Sequence, residues 1–345
     1  MLVNEIKLNQ FRNYYNKTFS FNPGINVIVG NNGIGKTNIL EGIMLISNTK
    51  SFRTSDDKSL IQLNKKYGAV EIKTDTNILK VVINDQGKTF YINNELKRKT
   101  SEMIGQINAI IFKPGDIELF TQSPKARRKE LDIEIGKISK NYLNALTSYN
   151  RLLKQKNNLL KERQIDDNLM GIVDDSLIPV IKTLIEERDN FINNINLYIN
   201  DIYKEISGKD SNIKINYKKC CEVDDILINL QLSKEKDLLF GHSTFGPHKD
   251  DYEFKINNQD INNFASQGQK RMIIIALKLS IAKYIKEKLN QEVIILLDDV
   301  LSELDISKSE KLLNMLPTNQ IIITTTDINN IKINREYKLI ELKEE

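Results

Sequence analysis

The stretch Val29–Ile43, VGNNGIGKTNILEGI, decides the fold. It fits G-x-x-x-x-G-K-[ST], with Gly30 at its start and Gly35, Lys36 and Thr37 at its close. An apolar run, INVIV, leads into it and an amphipathic stretch follows, as a strand–loop–helix phosphate cradle requires. Gly30, Gly33 and Gly35 allow a backbone path that turns N–H groups toward phosphate. Asn31, Asn32, Ile34 and Asn38 complete the expected ATP-binding set. Lys36 supplies a point charge, and the Thr37 hydroxyl can ligate Mg²⁺. ATP and Mg²⁺ are therefore the expected ligands. The loop alone does not say what the phosphate is used for.

A cradle of this kind needs a carboxylate partner. VIILLDDVLSELD, Val293 to Asp305, reads as a buried parallel strand with its acids at the carboxyl end, where α/β sheets hold ligands. Asp298 is expected in the Mg²⁺ shell, with Thr37. Asp299 is placed to polarise an attacking water, with Lys36 as the other catalytic group. About 260 residues separate the two motifs, more than a compact kinase or small GTPase core uses, so a large insertion is expected. NFASQGQKRMIIIALKLSIA, Asn263 to Ala282, places Ser266 and a polar loop at the start of an apolar helix. That is either an ordinary N-cap or a second anion site.

Length and composition bound the rest. A chain of 345 residues holds two domains, or one with an insertion. Charged residues make up 28%, and no apolar run reaches the roughly 18 residues that span a bilayer. No membrane partner is expected. The N-terminus carries acid early and does not read as a signal peptide. The two cysteines, Cys220 and Cys221, are adjacent and close no useful loop, so a cytoplasmic setting fits. A net charge of +4 neither demands nor excludes a nucleic-acid partner.

Three regions are expected: 1–120 with the P-loop, a helical insertion at 121–234, and 235–345 with the remaining motifs. Ala69 to Lys97 alternates apolar and polar residues around a turn at Asp85-Gln86-Gly87, which predicts antiparallel strands. Two heptad stripes, Ile135 to Leu159 and Ile185 to Ile206, predict an antiparallel helical pair of about 30 residues per arm. Lys156 interrupts the first stripe and Arg188 the second. A polar loop is expected between them at residues 162–176.

The order of motifs resembles the ABC-type ATPases, in particular the heads of the SMC and break-repair branch. That resemblance implies an α/β P-loop ABC-type head with an inserted helical domain, the short helical pair. It matches Ser266, Gly268 and Gln269 to a signature acting in trans, and Ser302 and Asp305 to the D-loop. The switch-histidine position reads Thr326. No Q-loop glutamine is evident, and the candidate lobe junction is AIIFKPGD, Ala109 to Asp116. LNQFRNY, GKTNILEGI, SFRT (Ser51 to Thr54), FKPGDIELFTQSPKARRKELD, FGPHKDD (Phe245 to Asp251) and SQGQKR together resemble the RecF family of bacterial recombination mediators. The resemblance implies an ATP-dependent homodimer on double-stranded and gapped DNA. It would work with RecR and RecO to load RecA, and without the histidine either hydrolysis does not need it or hydrolysis is slow.

Two basic clusters could meet DNA phosphate, Lys97 to Lys99 and Lys125 to Lys129, and Arg127 and Arg128 are the named candidates. These arginines could instead support the lobe junction. His242, His248 and Asp250 lack good metal-ligand spacing, and FGPHKDD reads as a turn into the strand DYEFKI. A transporter subunit would need a richer signature loop and the histidine. A chromosome-structuring head would need far longer arms.

Overall fold

The computed structural model describes residues 2–162, 166–316, 319–330 and 332–343. The chain opens with the antiparallel pair β1 (Val3–Phe11) and β2 (Tyr14–Ser20). INVIV forms β3 (Ile25–Val29), and the phosphate loop carries it into α1 (Lys36–Asn48). Four antiparallel strands follow: β4 (Tyr67–Thr74), β5 (Ile78–Asn84), β6 (Gly87–Ile92) and β7 (Glu95–Lys97). The expected turn joins β5 to β6, with Asn84 opposite Gly87. β5 alternates buried and half-buried residues, as its sequence predicts. β8 (Ala109–Phe112) is buried throughout.

The chain falls into two compact units. The first comprises Met1–Asp116, Ile202–Lys209 and Ile274–Glu345. The second comprises Ile117–Asp201 and Asp210–Ile273. The junction expected at Ala109 to Asp116 coincides with the first division. The boundary expected at 234/235 does not appear, because β9 (Ile213–Lys218) takes β10 (Asp251–Ile256) as its ladder partner and keeps that strand in the second unit.

In the first unit, β3 joins β8 and three later strands, β12 (Ile294–Asp298), β13 (Ile321–Thr325) and β14 (Tyr337–Glu341). They form a parallel sheet in the order β14-β3-β13-β12-β8. The antiparallel sheet runs β2-β1-β4-β5-β6-β7. The helix α1, expected to be amphipathic, is instead buried on almost every side, from Ile39 to Ser47. Accordingly α1 shares one core with residues from both sheets, including Ile6, Leu8, Val70, Ile28, Leu296 and Ile322. Gly42 permits this closeness, since a Cβ there would stand 3.0 Å from both Ile6 and Leu8 side chains.

The second unit holds α2 (Pro124–Ile138), α3 (Lys140–Leu159), most of α4 (Asp167–Ser207), α5 (Ile226–Phe240), β9, β10, β11 (Gln259–Asp260), α6 (Ile261–Phe264) and the first turns of α7 (Gln267–Leu289). The first expected arm is two helices. Ser139 ends α2 and caps α3, accepting from Tyr142 N at 3.0 Å. The second arm is longer than expected, at 41 residues. From Asp167 onward the expected polar loop is already helix. The pair is antiparallel: Ser139 meets Glu187, Tyr142 meets Arg188, and Lys156 meets Asp174. The face of α4 from Met170 to Ile206 is buried along its length, so the helix is packed. Both interruptions of the apolar stripes are buried ion pairs. Lys156 reaches Asp174 (2.8 Å) and Asp237 (3.2 Å), and Arg188 reaches Asp250 (2.7 Å) and Asp132 (3.0 Å). Among the described residues no helix is long and apolar enough to cross a membrane.

Candidate functional site

The site lies at the carboxyl ends of β3, β13 and β12, where a parallel sheet places ligands. Gly30 leaves β3, and its N–H donates to Thr325 O at 3.4 Å. Asn31, Asn32 and Gly33 form the exposed tip. Gly35 has φ 115°, and a Cβ there would stand 2.6 to 2.8 Å from Asn13 and Tyr14 polar atoms, so only glycine fits. As the N-cap of α1 it offers no side chain to the first helical amides, which suits an anion. Lys36 is buried, with Nζ donating to Gly30 O (2.7 Å) and Asn31 O (3.1 Å), so its charge sits inside the loop.

Thr37 and Asp298, 261 positions apart, meet with Thr37 Oγ1 donating to Asp298 Oδ1 at 2.9 Å. A hydroxyl beside a carboxylate is a hard-oxygen pair of the kind Mg²⁺ takes. Asp299 has φ 53°, a left-handed conformation that non-glycine residues adopt at a cost, and such strain gathers at functional sites. These residues fit ATP and Mg²⁺: loop amides and Lys36 for the phosphates, Thr37 and Asp298 for the ion.

The structure brings LNQFRNY, GKTNILEGI and SFRT together through Arg12, Asn13, Asn38, Glu41, Ser51 and Arg53, of which only Asn38 has a role expected from the sequence. Glu41, fully buried in α1, receives Arg12 in a bidentate pair (2.8 and 2.7 Å) and the Ser51 hydroxyl at 2.5 Å. Asn13 donates to Ile34 O and accepts from Asn38, both at 2.8 Å. Arg53 donates to Asn38 Oδ1 at 2.8 Å. The available signal is Glu41 itself, a carboxylate within the apolar run Ile39 to Ile46, which calls for a cation.

Ser266 and Gln269 form a capping box at the start of α7. Ser266 N donates to Gln269 Oε1 (2.9 Å), and Gln269 N donates to Ser266 Oγ (3.2 Å). Ser266 and Gly268 are exposed, and nothing lies within 4 Å of a Cβ at Gly268. The N-cap reading therefore holds locally, and Ser266 belongs to the second unit while the P-loop belongs to the first. Ser302 donates to Asp299 O at 2.6 Å, and Asp305 caps α8 (Ile306–Asn314) through Lys308 N at 2.9 Å.

The expected phosphate contacts of Arg127 and Arg128 are not supported. Arg127 makes a bidentate pair with Asp251 (2.9 and 2.7 Å), and Arg128 donates to Asp250 O. Both guanidiniums serve the turn FGPHKDD, which runs into β10 as expected. His248 lies in that turn, with Nδ1 accepting from Tyr149 at 2.5 Å. Its Nε2 faces Ser243 O at 3.2 Å. A carbonyl only accepts, so Nε2 carries the proton. Burial pushes the imidazole pKa down to about 4.

The family described as RecF/RecN/SMC N terminal domain matches residues 2–344. A DNA replication and repair protein RecF from Streptococcus gordonii is 35% identical, covering 99% of this chain and 98% of its own length. The chain belongs to the RecF family. Another RecF, from Clostridium novyi, is 37% identical over 98% of this chain and 95% of its own. A solved structure of the recombination mediator protein RecF with ATP, in the RecFOR pathway, has TM-score 0.89 at 31% identity, covering 94% of this chain and 93% of that one. The Smc head domain from Pyrococcus furiosus shares the fold, with TM-score 0.53 at 17% identity, covering 95% of this chain and 92% of that one. The architecture is thus the P-loop head of the RecF and SMC ATPases, with a helical insertion.

Proposed function

We propose that this chain acts in DNA replication and recombinational repair as an ATP-dependent clamp that binds double-stranded and gapped DNA. The observation that carries this reading is the meeting of Thr37 with Asp298 at 2.9 Å beside Lys36, in a chain of RecF kinship. Lys36 and the loop amides hold the β- and γ-phosphates, and Asp299 orients the attacking water. Thr37 and Asp298 would hold a Mg²⁺ ion, which when bound would neutralise phosphate charge. Thr326 stands where a switch histidine would, so either hydrolysis does not need that histidine or it is slow.

Ser266, Gly268 and Gln269 act across an ATP-dependent homodimer. The exposure of Ser266 and Gly268 supports this, since a second chain can reach them, with Gln269 half-buried beside them. With Arg127 and Arg128 engaged internally, exposed Arg98, Lys99, Lys125 and Lys129 are the better phosphate contacts. The partners are RecR and RecO, with RecA loaded indirectly, in the cytoplasm. The deciding experiment is sedimentation with and without ATP, each with duplex or gapped DNA. A dimer that forms with ATP and is retained on DNA supports the clamp. A monomer under every condition rules it out.

A further inference from the structure

The parallel sheet places β13 between β3, which carries the phosphate loop, and β12, which carries the acids. Thr324 lies opposite Asp298 in the β12–β13 register and opposite Ile28 on the other side. Its side chain is fully buried. Thr324 Oγ1 donates to Asp298 Oδ1 at 2.8 Å and accepts from Asp299 N at 3.1 Å. The alternative acceptor, Leu297 O, is 3.5 Å away, so the carboxylate holds the hydroxyl proton. One hydroxyl therefore uses its donor on one acid and an acceptor position on the backbone of the next.

We infer that Thr324 is a positioning residue for both acids: it aims the Asp298 carboxylate toward Thr37 and holds Asp299 in its left-handed conformation. The inference rests on the ATPase reading of the site. Asp298 Oδ1 accepts from Thr37 in the first turn of α1 (2.9 Å) and from Thr324 near the end of β13 (2.8 Å), which holds the carboxylate from two elements. In that backbone, with φ 53°, the Asp299 amide donates to Thr324, which satisfies the amide and supports the conformation. The neighbouring Thr325 O accepts from Gly30 N, so consecutive threonines of β13 bind the acid end on one side and the phosphate loop on the other. In this chain the end of β13 lacks a histidine, and its contribution to the site is registration of the two motifs.

The test compares Thr324→Val, which keeps the shape and loses the hydroxyl, with Thr324→Ser, which keeps it. Three readings are taken on the full chain. They are affinity for a fluorescent ATP analogue in EDTA and across a Mg²⁺ titration, single-turnover ATP hydrolysis, and the melting temperature without nucleotide. Thr324→Val is expected to keep its affinity in EDTA within about twofold, because the phosphate loop is untouched. Its half-saturating Mg²⁺ should rise severalfold, and its hydrolysis should fall about tenfold. Thr324→Ser should restore both. If Thr324→Val only lowers the melting temperature, or Thr324→Ser is as impaired as Thr324→Val, the positioning role is overturned. If the unaltered chain binds the analogue with no response to Mg²⁺, the ATPase reading itself fails. The wild-type Mg²⁺ curve therefore separates the two failures.

Discussion

His248 shows how one buried residue sets a response to pH. Its imidazole accepts from Tyr149 and is held neutral by burial, with Lys249 and Arg128 adding to the opposition to protonation. The folded pKa, about 4, lies below the ordinary 6.5, so the unfolded chain binds more protons between those values. Stability from this group is therefore complete above about pH 6.5 and is lost as pH falls toward 4, by roughly 2 kcal/mol at pH 5. Urea unfolding at pH 7.5, 6 and 5 should show that loss in the wild type and a smaller slope in His248→Gln. Equal slopes would place the acid sensitivity in other groups. At this scale the placement of Lys36 in the loop and the meeting of Thr37 with Asp298 were legible, because phosphate-loop and strand-end motifs have fixed local spacings. Asn13 and Thr324 were not, and for Glu41 the need for a cation was legible but not its partner Arg12. Their roles come from strand register and from contacts across dozens of residues, which no local pattern carries.

Elements were legible where a period was sustained. The strands from Ala69 to Lys97 and the antiparallel helices follow alternation and heptad spacing. The break at Ser139 and the helical start at Asp167 lay beyond the pattern, because a serine cap and acidic first-turn residues read equally well as loop. Lys156 and Arg188 read as defects in apolar stripes, yet both are buried cations with carboxylates from other elements. Arg188→Ala would leave Asp250 and Asp132 without their cation, and such a loss costs about 3–5 kcal/mol. Urea unfolding that shows less than about 1 kcal/mol would mean that Tyr217 and the Cys220 amide suffice for Asp250. Arg127 and Arg128 belong with this network. Changing both to Ala should lower stability by about 1–3 kcal/mol and leave the salt slope of duplex binding unchanged. A slope that falls by about 0.9 per arginine would return them to the DNA surface. On α5 the pattern is reversed: Leu232 and Leu239 face solvent at 71% and 80% exposure, while Ser233 and Asp237 are buried. Leu232→Glu with Leu239→Glu should therefore shift unfolding by only about 0.5 kcal/mol.

For the whole molecule, the proposed function requires two phosphate-facing motifs, the P-loop in the first unit and the serine before α7 in the second. Ser266 has a local explanation in its capping box with Gln269, so its role in trans must be tested on assembled dimers. If each site uses Lys36 of one chain and Ser266 of the other, Lys36→Ala and Ser266→Arg chains are each inactive alone. Ser266→Arg still binds ATP, since its P-loop is intact, whereas Lys36→Ala loses ATP affinity. Mixed in equal amounts, random pairing makes about half of the dimers mixed, and each mixed dimer has one intact site out of two. Independent sites would then restore roughly a quarter of wild-type turnover, because the rate scales with the number of intact sites. Coupling between sites would lower that figure without abolishing it. Steady-state phosphate release, measured above the dimer dissociation constant for each variant and for the mixture, gives the answer. Recovery clearly above the sum of the two variants supports a clamp closed by ATP between chains. No recovery, with mixed dimers demonstrated by cross-linking, would confine Ser266 to capping α7 and remove the composite site.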